Sequence, residues 1–439
     1  MRKRHFLKLL ILFSTLSLFS NKRLTALSYS DLVTNLSDVF YGLVDENEGQ
    51  TSFRSLLIPF GGRSESMAGA YTGLCDDIGF FQYNAGAGSI QKESQIALFH
   101  NMWIADSKME TIALTTRFKN IPHLSLGGYI SCFYLPFTEY NIFGDRVAAS
   151  YYSESVAAIN VSYNILAGYD FKGLALGASL KAAWRGMPNY TDNNTNEIIS
   201  NSGLEQSGLA FMGDIGLMLQ FNFLKYYYSR DPNVRIGLSA QNLGVSFTGW
   251  GKDVVLDDPL PTLLCAGISL KFIKPITFTA EFQQPINLQN PGTYLKPYLA
   301  SGVSFEFTNF LSLLGGFALK GANPRFSAGF EFEIKKIRFN FNYTLDFTSS
   351  FSPLNKISLS VKIKLGDKGR SIIDKQVDEY YQQGLIFYAQ ADYQAAIDVW
   401  EEALKLNKRF DPAKLGIQSA QYQIDMFQKI KESLLLDQF

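Results

Sequence analysis

From Lys336 to Phe347 the chain reads KIRFNFNYTLDF. Ile337, Phe339, Phe341, Tyr343, Leu345 and Phe347 alternate with Arg338, Asn340, Asn342, Thr344 and Asp346. Strand side chains alternate with period two, so this stretch is a strand with one apolar and one polar face. The flanking runs repeat the pattern. Phe326, Ala328, Phe330, Phe332 and Ile334 alternate with Arg325, Ser327, Gly329, Glu331 and Glu333. Ile357, Leu359, Val361, Ile363 and Leu365 alternate with Lys356, Ser358, Ser360, Lys362 and Lys364. Three consecutive runs of about ten residues, each with charges on its inner face, suit an aqueous lumen better than a dry sandwich core. A tilted strand crosses a bilayer in roughly 9–11 residues. In lipid only a closed barrel satisfies every backbone group of a sheet. The expected fold is an all-β transmembrane barrel.

Fourteen runs of this kind are read: 94–104, 109–118, 123–135, 155–167, 172–185, 208–222, 233–242, 262–272, 275–284, 297–307, 309–319, 324–334, 336–347 and 356–365. An even count is what a single-chain bacterial barrel requires. The long connections, near 136–154, 186–207, 243–261 and 285–296, all follow odd-numbered strands. Barrels carry long loops outside and short turns in the periplasm, so both barrel ends are expected in the periplasm.

The two chain ends break the pattern. Arg2, Lys3, Arg4 and Lys8 precede a short apolar run from Leu9 to Phe19, which reads as a signal peptide over 1–26. Leu32, Leu36, Val39, Phe40 and Leu43 form the apolar stripe of a short helix over 30–44. The domain reading is a signal peptide over 1–26, a periplasmic amphipathic helix and plug over 27–92, a barrel over 93–366, and a periplasmic helical domain over 371–439. That last domain reads as three helices, near 372–389, 393–406 and 412–434, with Asp392 and Asp411 at helix starts. Tyr380, Gly384, Phe387, Ala396, Trp400 and Ala403 match the tetratricopeptide (TPR) pattern, in which small residues stand where two helices cross.

Composition narrows the function. Lys plus Arg equals Asp plus Glu at 40 each, so nothing points to nucleic acid. Aromatic content is 14%, which suits lipid faces and interfacial girdles. The three cysteines, Cys75, Cys132 and Cys265, and the three histidines, His5, His100 and His123, have no metal-ligand or triad spacing. No catalytic residue, metal or cofactor is expected, and an enzyme is not the reading.

The stretch from Ile58 to Ser89 is rich in Gly and Ala and weakly periodic, which suits a compact insert rather than a strand. Within it stand Gly61-Gly62-Arg63, Gly69-Ala70, Asp76-Asp77 and, seven residues after Asp77, Asn84. This pattern resembles the N-terminal plug signature of the long-chain fatty-acid outer-membrane transporter (FadL/toluene-transporter) family. Ala85-Gly86 stands where that family has Pro. The whole chain also resembles an uncharacterised treponemal outer-membrane family with the same plug and a helical tail. The resemblance implies a fourteen-stranded barrel in the cell outer membrane that admits long-chain fatty acids or other hydrophobic molecules by diffusion. It also implies that Gly61, Gly62, Arg63, Gly69, Asp76, Asp77 and Asn84 belong to the plug. Asp76 and Asp77 have no further ligands spaced to complete a metal site, and their reading is to fix the plug through backbone N–H groups or Arg63. A fatty acid carries a carboxylate. Lys181 and Arg185, inward-facing in LALGASLKAAWR, are the candidate cations for it. Expected partners are hydrophobic small molecules, outer-membrane lipid and a periplasmic protein bound by the tail. The alternative is a barrel scaffold that holds exported proteins or a periplasmic assembly through that tail.

Overall fold

The computed structural model describes residues 44, 47, 49–118, 121, 123–141, 143–168, 171–187, 207–227, 229, 231–248, 255–321, 323–347 and 354–436. The expected signal peptide, all but the last residue of the 30–44 helix and most of the 186–207 loop lie outside the described residues.

The strands are β1 (Ser94–Met102), β2 (Lys108–Arg117), β3 (Leu124–Tyr140), β4 (Arg146–Ile165), β5 (Leu174–Gly186), β6 (Gly208–Phe221), β7 (Val234–Thr248), β8 (Val255–Leu256), β9 (Thr262–Ile273), β10 (Ile276–Ile286), β11 (Tyr298–Glu306), β12 (Leu311–Lys320), β13 (Asn323–Ile334), β14 (Ile337–Asp346) and β15 (Leu354–Gly366). Each pairs antiparallel with its chain neighbour, except that the two-residue β8 pairs only with the end of β7 and lets β9 take that edge. β1 pairs with β15, and this last seam closes the other fourteen strands into a barrel.

The register follows the alternation. Phe341 on β14 stands opposite Phe330 on β13 and Leu359 on β15, and the two phenylalanine rings stack at 5.5 Å. Their neighbours Asn340 and Asn342 are buried on the inner side. Ile130, Ile159, Leu180, Phe211 and Ile215 continue the apolar outer face and are among the most exposed large side chains of the barrel. A row of exposed aliphatic and aromatic groups is stable in lipid, where exposure costs no hydration.

Two expectations need correction. The connection expected over 136–154 is mostly strand. β3 and β4 pair residue by residue up to Glu139 and Ala148, five residues beyond the last pair that β3 makes with β2. Only residues 141–145 turn the chain. The lumen is not simply wet either. Asn342, Glu331, Lys356 and Lys362 all face inward and are at most 5% exposed, because the segment before β1 lies against them.

The connections after β1, β3, β5, β7, β10, β12 and β14 share one end, here the long-loop end. Those after β2, β4, β6, β9, β11 and β13 share the other, the short-turn end. Gly366 leaves the barrel at the short-turn end.

Three tail helices follow. α1 is reserved for a single turn inside the barrel (Arg63–Ser66), so the tail holds α2 (Arg370–Ala389), α3 (Tyr393–Leu406) and α4 (Asp411–Leu436). Asp367 accepts from the N–H groups of Gly369 at 3.0 Å and Ser371 at 2.7 Å, and the bonds from Ser371 hold its carboxyl below the usual range. Asp392 caps α3 by accepting from Ala395 N–H. Trp400 is 1% exposed and lies between two glycines: a Cβ on Gly384 would fall 2.2 Å from its Nε1, and one on Gly416 2.9 Å from its Cε3. Ala396 and Ala403 are buried beside it, with Tyr380 and Phe387 packed at the edge. Lys368 donates to Thr116 Oγ1 at 3.1 Å and Arg409 to Ala167 O at 3.4 Å, so the tail meets the short-turn rim.

Phe341→Arg is expected to cost about 2–4 kcal/mol if Phe341 stands near the bilayer midplane. The measurement is the heat-modifiable barrel band on a cold gel after assembly into vesicles. The Arg variant should lose most of it, and Phe341→Leu should keep it.

Candidate functional site

The segment from Gly49 to Glu93 runs through the barrel. It starts at the long-loop end. Asn47 donates to Tyr294 O at 3.4 Å, Ser52 N–H to Pro259 O at 3.0 Å, and Ser55 N–H to Glu154 Oε2 at 3.0 Å. It then crosses to the short-turn end, where Arg235 donates to Leu74 O at 2.8 Å. From there it doubles back to pair Phe60 N–H with Gln82 Oε1 at 2.9 Å, and finally descends to Gln91 and Arg117 before entering β1. The segment therefore enters at the long-loop end and passes into β1 at the short-turn end.

The barrel wall was built to receive this segment. At inward positions on β5, β6, β9, β11, β12 and β13 stand Gly177, Gly216, Gly267, Gly302, Gly316 and Gly329. A Cβ at any of them would fall 2.2–2.7 Å from an atom of residues 66–85. Backbone therefore meets backbone around much of the circumference, which only glycine permits. Met67, Tyr71, Ile78, Phe80 and Ala87 fill the middle of the segment and are fully buried.

Polar anchors come from the wall. Glu281 on β10 accepts from Tyr71 N–H at 2.6 Å, Thr72 N–H at 2.7 Å and Thr72 Oγ1 at 2.8 Å. Ser239 and Gln241 on β7 donate to Tyr83 O at 2.7 and 2.6 Å, and Asn160 on β4 to Ala85 O at 3.0 Å. Each satisfies a buried peptide group that has lost water.

The signature residues gather here. Gly61 and Gly62 have φ of 109° and 76° and lie against Ser358 and Ser360 of β15. Arg63 donates to Asp76 Oδ1 at 3.1 Å, Glu331 Oε1 at 3.2 Å and Ser304 Oγ at 3.1 Å. Gly69 takes a left-handed turn beside Tyr83. Asp77 accepts from Gly79 N–H at 2.8 Å and pairs with Lys362 of β15. Asn84 donates to Thr72 O at 3.2 Å and Leu217 O at 3.0 Å while accepting from Gly86 N–H at 3.0 Å. Glu281, Glu331, Lys362 and the wall glycines were not singled out from sequence. Their signal was available: each stands at an inward position of an otherwise regular strand.

Lys181 and Arg185 also face inward, on β5, but both are engaged. Lys181 lies 2.7 Å from Asp214 Oδ1 and donates to Asn242 Oδ1 at 2.6 Å. Asp214 sits in a bulge where the β6–β7 register shifts between Gly213 and Ile215, and it accepts from Asn242 N–H at 2.8 Å. The pair thus replaces a lost rung of the ladder. Arg185 is 2.7 Å from Asp257 Oδ2, and its guanidinium carbon lies 5.2 Å from the centre of the Phe53 ring.

A cavity remains on each side of the segment. On the long-loop side one of about 140 Å³ is lined by Leu56, Leu57, Tyr83, Ala300 and Ala318, with Lys320, Arg325 and Lys356 among its polar groups. On the short-turn side two cavities of about 410 and 460 Å³ share Arg63, Asp76, Lys274, Glu306 and Arg338. The first suits a molecule with an apolar body and an acidic head, and the other two suit water.

The family model described as "Uncharacterised protein family (UPF0164)" matches residues 36–368. The chain belongs to that family. A UPF0164 protein of Treponema pallidum (strain Nichols) is 26% identical over 394 residues, 88% of this chain and 86% of the relative. Among solved structures, the P. putida toluene transporter TodX aligns with a TM-score of 0.45 at 11% identity, covering 70% of this chain and 98% of that one. A Pseudomonas aeruginosa FadL homologue aligns with a TM-score of 0.41 at 8% identity, covering 69% and 98%.

Two tests address how the segment is held in this UPF0164 barrel. Gly316→Ala places a methyl 2.4 Å from Met67 C, whereas at Gly315, the next residue, the nearest atom is 4.0 Å away. The first variant should unseat the segment and expose residues 61–89 to protease in detergent, and Gly315→Ala should leave digestion unchanged. Lys362→Met leaves Asp77 buried without its partner and should lower stability by about 3–5 kcal/mol in urea titrations. Adding Asp77→Asn should restore most of that loss, giving a large coupling energy.

Proposed function

We propose that the protein is an outer-membrane channel for passive uptake of hydrophobic molecules, long-chain fatty acids among them, and that residues 61–89 are its plug. The observation that carries this reading is a segment packed inside the barrel in backbone contact with the wall, with an apolar cavity that carries Lys320, Arg325 and Lys356 on its long-loop side. A hydrophobic acid suits that cavity: the chain packs on Leu56, Leu57 and Tyr83 while Lys320 and Arg325, the latter also 2.7 Å from Asp346 Oδ2, attract the carboxylate. The Gly62-Arg63, Asp76-Asp77 and Asn84 pattern, which resembles the fatty-acid transporter plug, supports the same reading.

Lys181 and Arg185 hold the wall together in this account, and Lys320 and Arg325 take over as the candidate carboxylate partners. The long-loop end faces the cell exterior, because long loops are extracellular in such barrels. The tail is then periplasmic. Its α2–α3 pair, with Gly384 and Ala396 at the crossing, serves as a TPR-like unit that docks a periplasmic protein.

The test is conductance in a planar bilayer. The intact protein should conduct little. Deleting residues 61–89 should leave an assembled barrel that conducts ions steadily and no longer retains acyl lipid through purification. Equal conductance from both assembled proteins rules the plug out. Glu281→Ala with Arg63→Ala, which loosens the segment without removing it, should give intermittent openings.

A further inference from the structure

The contact between the segment and the wall leaves its mark on the outside of the barrel. From β3 to β6 the inward positions beside the segment are small. Gly177 and Gly216 let the wall close on Ala85 and Asn84, and a Cβ on Gly127 would fall 2.7 Å from Phe81 Cζ. Ala158, Ala183 and Ala210 are buried on the same inner face. With nothing larger to hold it off, the wall lies close on the segment there, and the outer surface is hollow. The hollow has a volume of about 1350 Å³ and crosses the strands from β2 to β7. Five steps of about 4.8 Å between strands make it about 24 Å long. Its surface is almost wholly apolar; Lys181 and Asp214, which also border it, point inward and pair with each other.

The register sets its floor and rim. Ile130 stands opposite Ala157, Ala157 opposite Ala182, and Ala182 opposite Phe211. Two alanines therefore lie side by side between two large groups. One outward row nearer the short-turn end, Gly128 stands opposite Ile159 and Leu180 opposite Gly213. One outward row nearer the long-loop end, the groups turn polar. Glu110 on β2 pairs with His100 of β1 at 2.7 Å, Cys132 stands opposite Ser155, and Ser155 opposite Trp184. Lys108, opposite the exposed Met102, is the next outward residue on β2. Barrels carry aromatic and polar groups of this kind at the bilayer interface. The hollow thus begins just inside the interface on the long-loop side, among the acyl chains of that leaflet.

We propose that the hollow binds one zwitterionic phospholipid of the surrounding bilayer. An acyl chain lies along Ala157 and Ala182 between Ile130 and Phe211, and the head group sits at the row of Glu110 and Trp184. Charge selects the head: Glu110 attracts an amine and repels the carboxylate of a free acid, and Lys108 suits the phosphate. Shape selects a lipid over a second copy of the barrel. Ile159 and Leu180, 64% and 68% exposed, break the floor of the groove, so a rigid convex wall cannot follow it and a flexible alkyl chain can. The proposal rests on the barrel standing in a bilayer and not on the hydrophobic-acid reading of the lumen cavity.

The test is the lipid that stays with the protein. The full-length chain is assembled in vesicles of equal phosphatidylethanolamine and phosphatidylglycerol, extracted into mild detergent and weighed by native mass spectrometry. One phosphatidylethanolamine per chain should remain, in at least fivefold excess over phosphatidylglycerol. Ala157→Phe with Ala182→Phe fills the floor and should lower the retained fraction at least fivefold. Ala157→Leu with Ala182→Leu, a smaller filling, should lower it in the same direction and serves alone if the Phe pair fails to give the heat-modifiable band. Ala328→Phe, at an exposed outward position of β13 away from the hollow, should leave retention unchanged. Equal retention of the two lipids, retention unaffected by filling, or a loss as large in Ala328→Phe overturns the proposal. So does a free fatty acid displaced by the filling in place of the phospholipid.

Discussion

A barrel of fourteen strands encloses more space than its own inward side chains fill, and the architecture depends on how that space is closed. Here the solution is a second layer of chain pressed against glycines of the inner wall. The approach is close enough that the peptide groups of the segment are cut off from water. Each then needs a partner, and the wall supplies them: Glu281 for the N–H groups of Tyr71 and Thr72, Asn160 for Ala85, Ser239 and Gln241 for Tyr83. Steric access and polar satisfaction are one design. Glycine brings the backbone near, and nearness makes the anchoring side chains obligatory.

Much of this fold was legible because a lipid-facing strand has a strict grammar. The run 336–347 declares its outer face by Phe339, Phe341 and Tyr343, and pairing with equally regular neighbours leaves little freedom of register. The β3–β4 hairpin was harder. Pro136 and Thr138 interrupt the apolar period there, yet the two strands go on pairing with each other beyond their neighbours, where no lipid face has to be maintained. The tail was read from Gly384, Ala396 and Trp400 because close helix crossings need small residues at fixed positions.

The site was only half legible. Arg63, Asp76, Asp77 and Asn84 announced themselves as a pattern, and all four lie in the filled lumen. Period two also placed Lys181 and Arg185 inward correctly. It could not reveal their partners, since Asp214 stands in a bulge and Asp257 in a loop. Nor does alternation say what lies against an inward residue. Asn342 and Lys362 have the sequence context of groups facing water and are instead buried against the segment.

The two kinds of anchor make different demands on any opening of the lumen. Close backbone contact is lost gradually, because each ångström of separation removes only dispersion contacts. The charges behave otherwise. Lys362 faces Asp77, and Glu331 faces Arg63. Moving the segment alone would strip Lys362 of Asp77 and Glu331 of Arg63 on a dry wall, leaving Lys362 only the longer contact of 3.9 Å to Glu331, and Glu331 that contact and Arg338 at 3.5 Å, at a cost of several kcal/mol. Water entering with the movement removes most of that penalty. Displacement of the segment and wetting of the lumen are therefore coupled into one event, and the short-turn side, where the polar cavities already reach Arg63, Asp76 and Lys362, is the side from which water arrives.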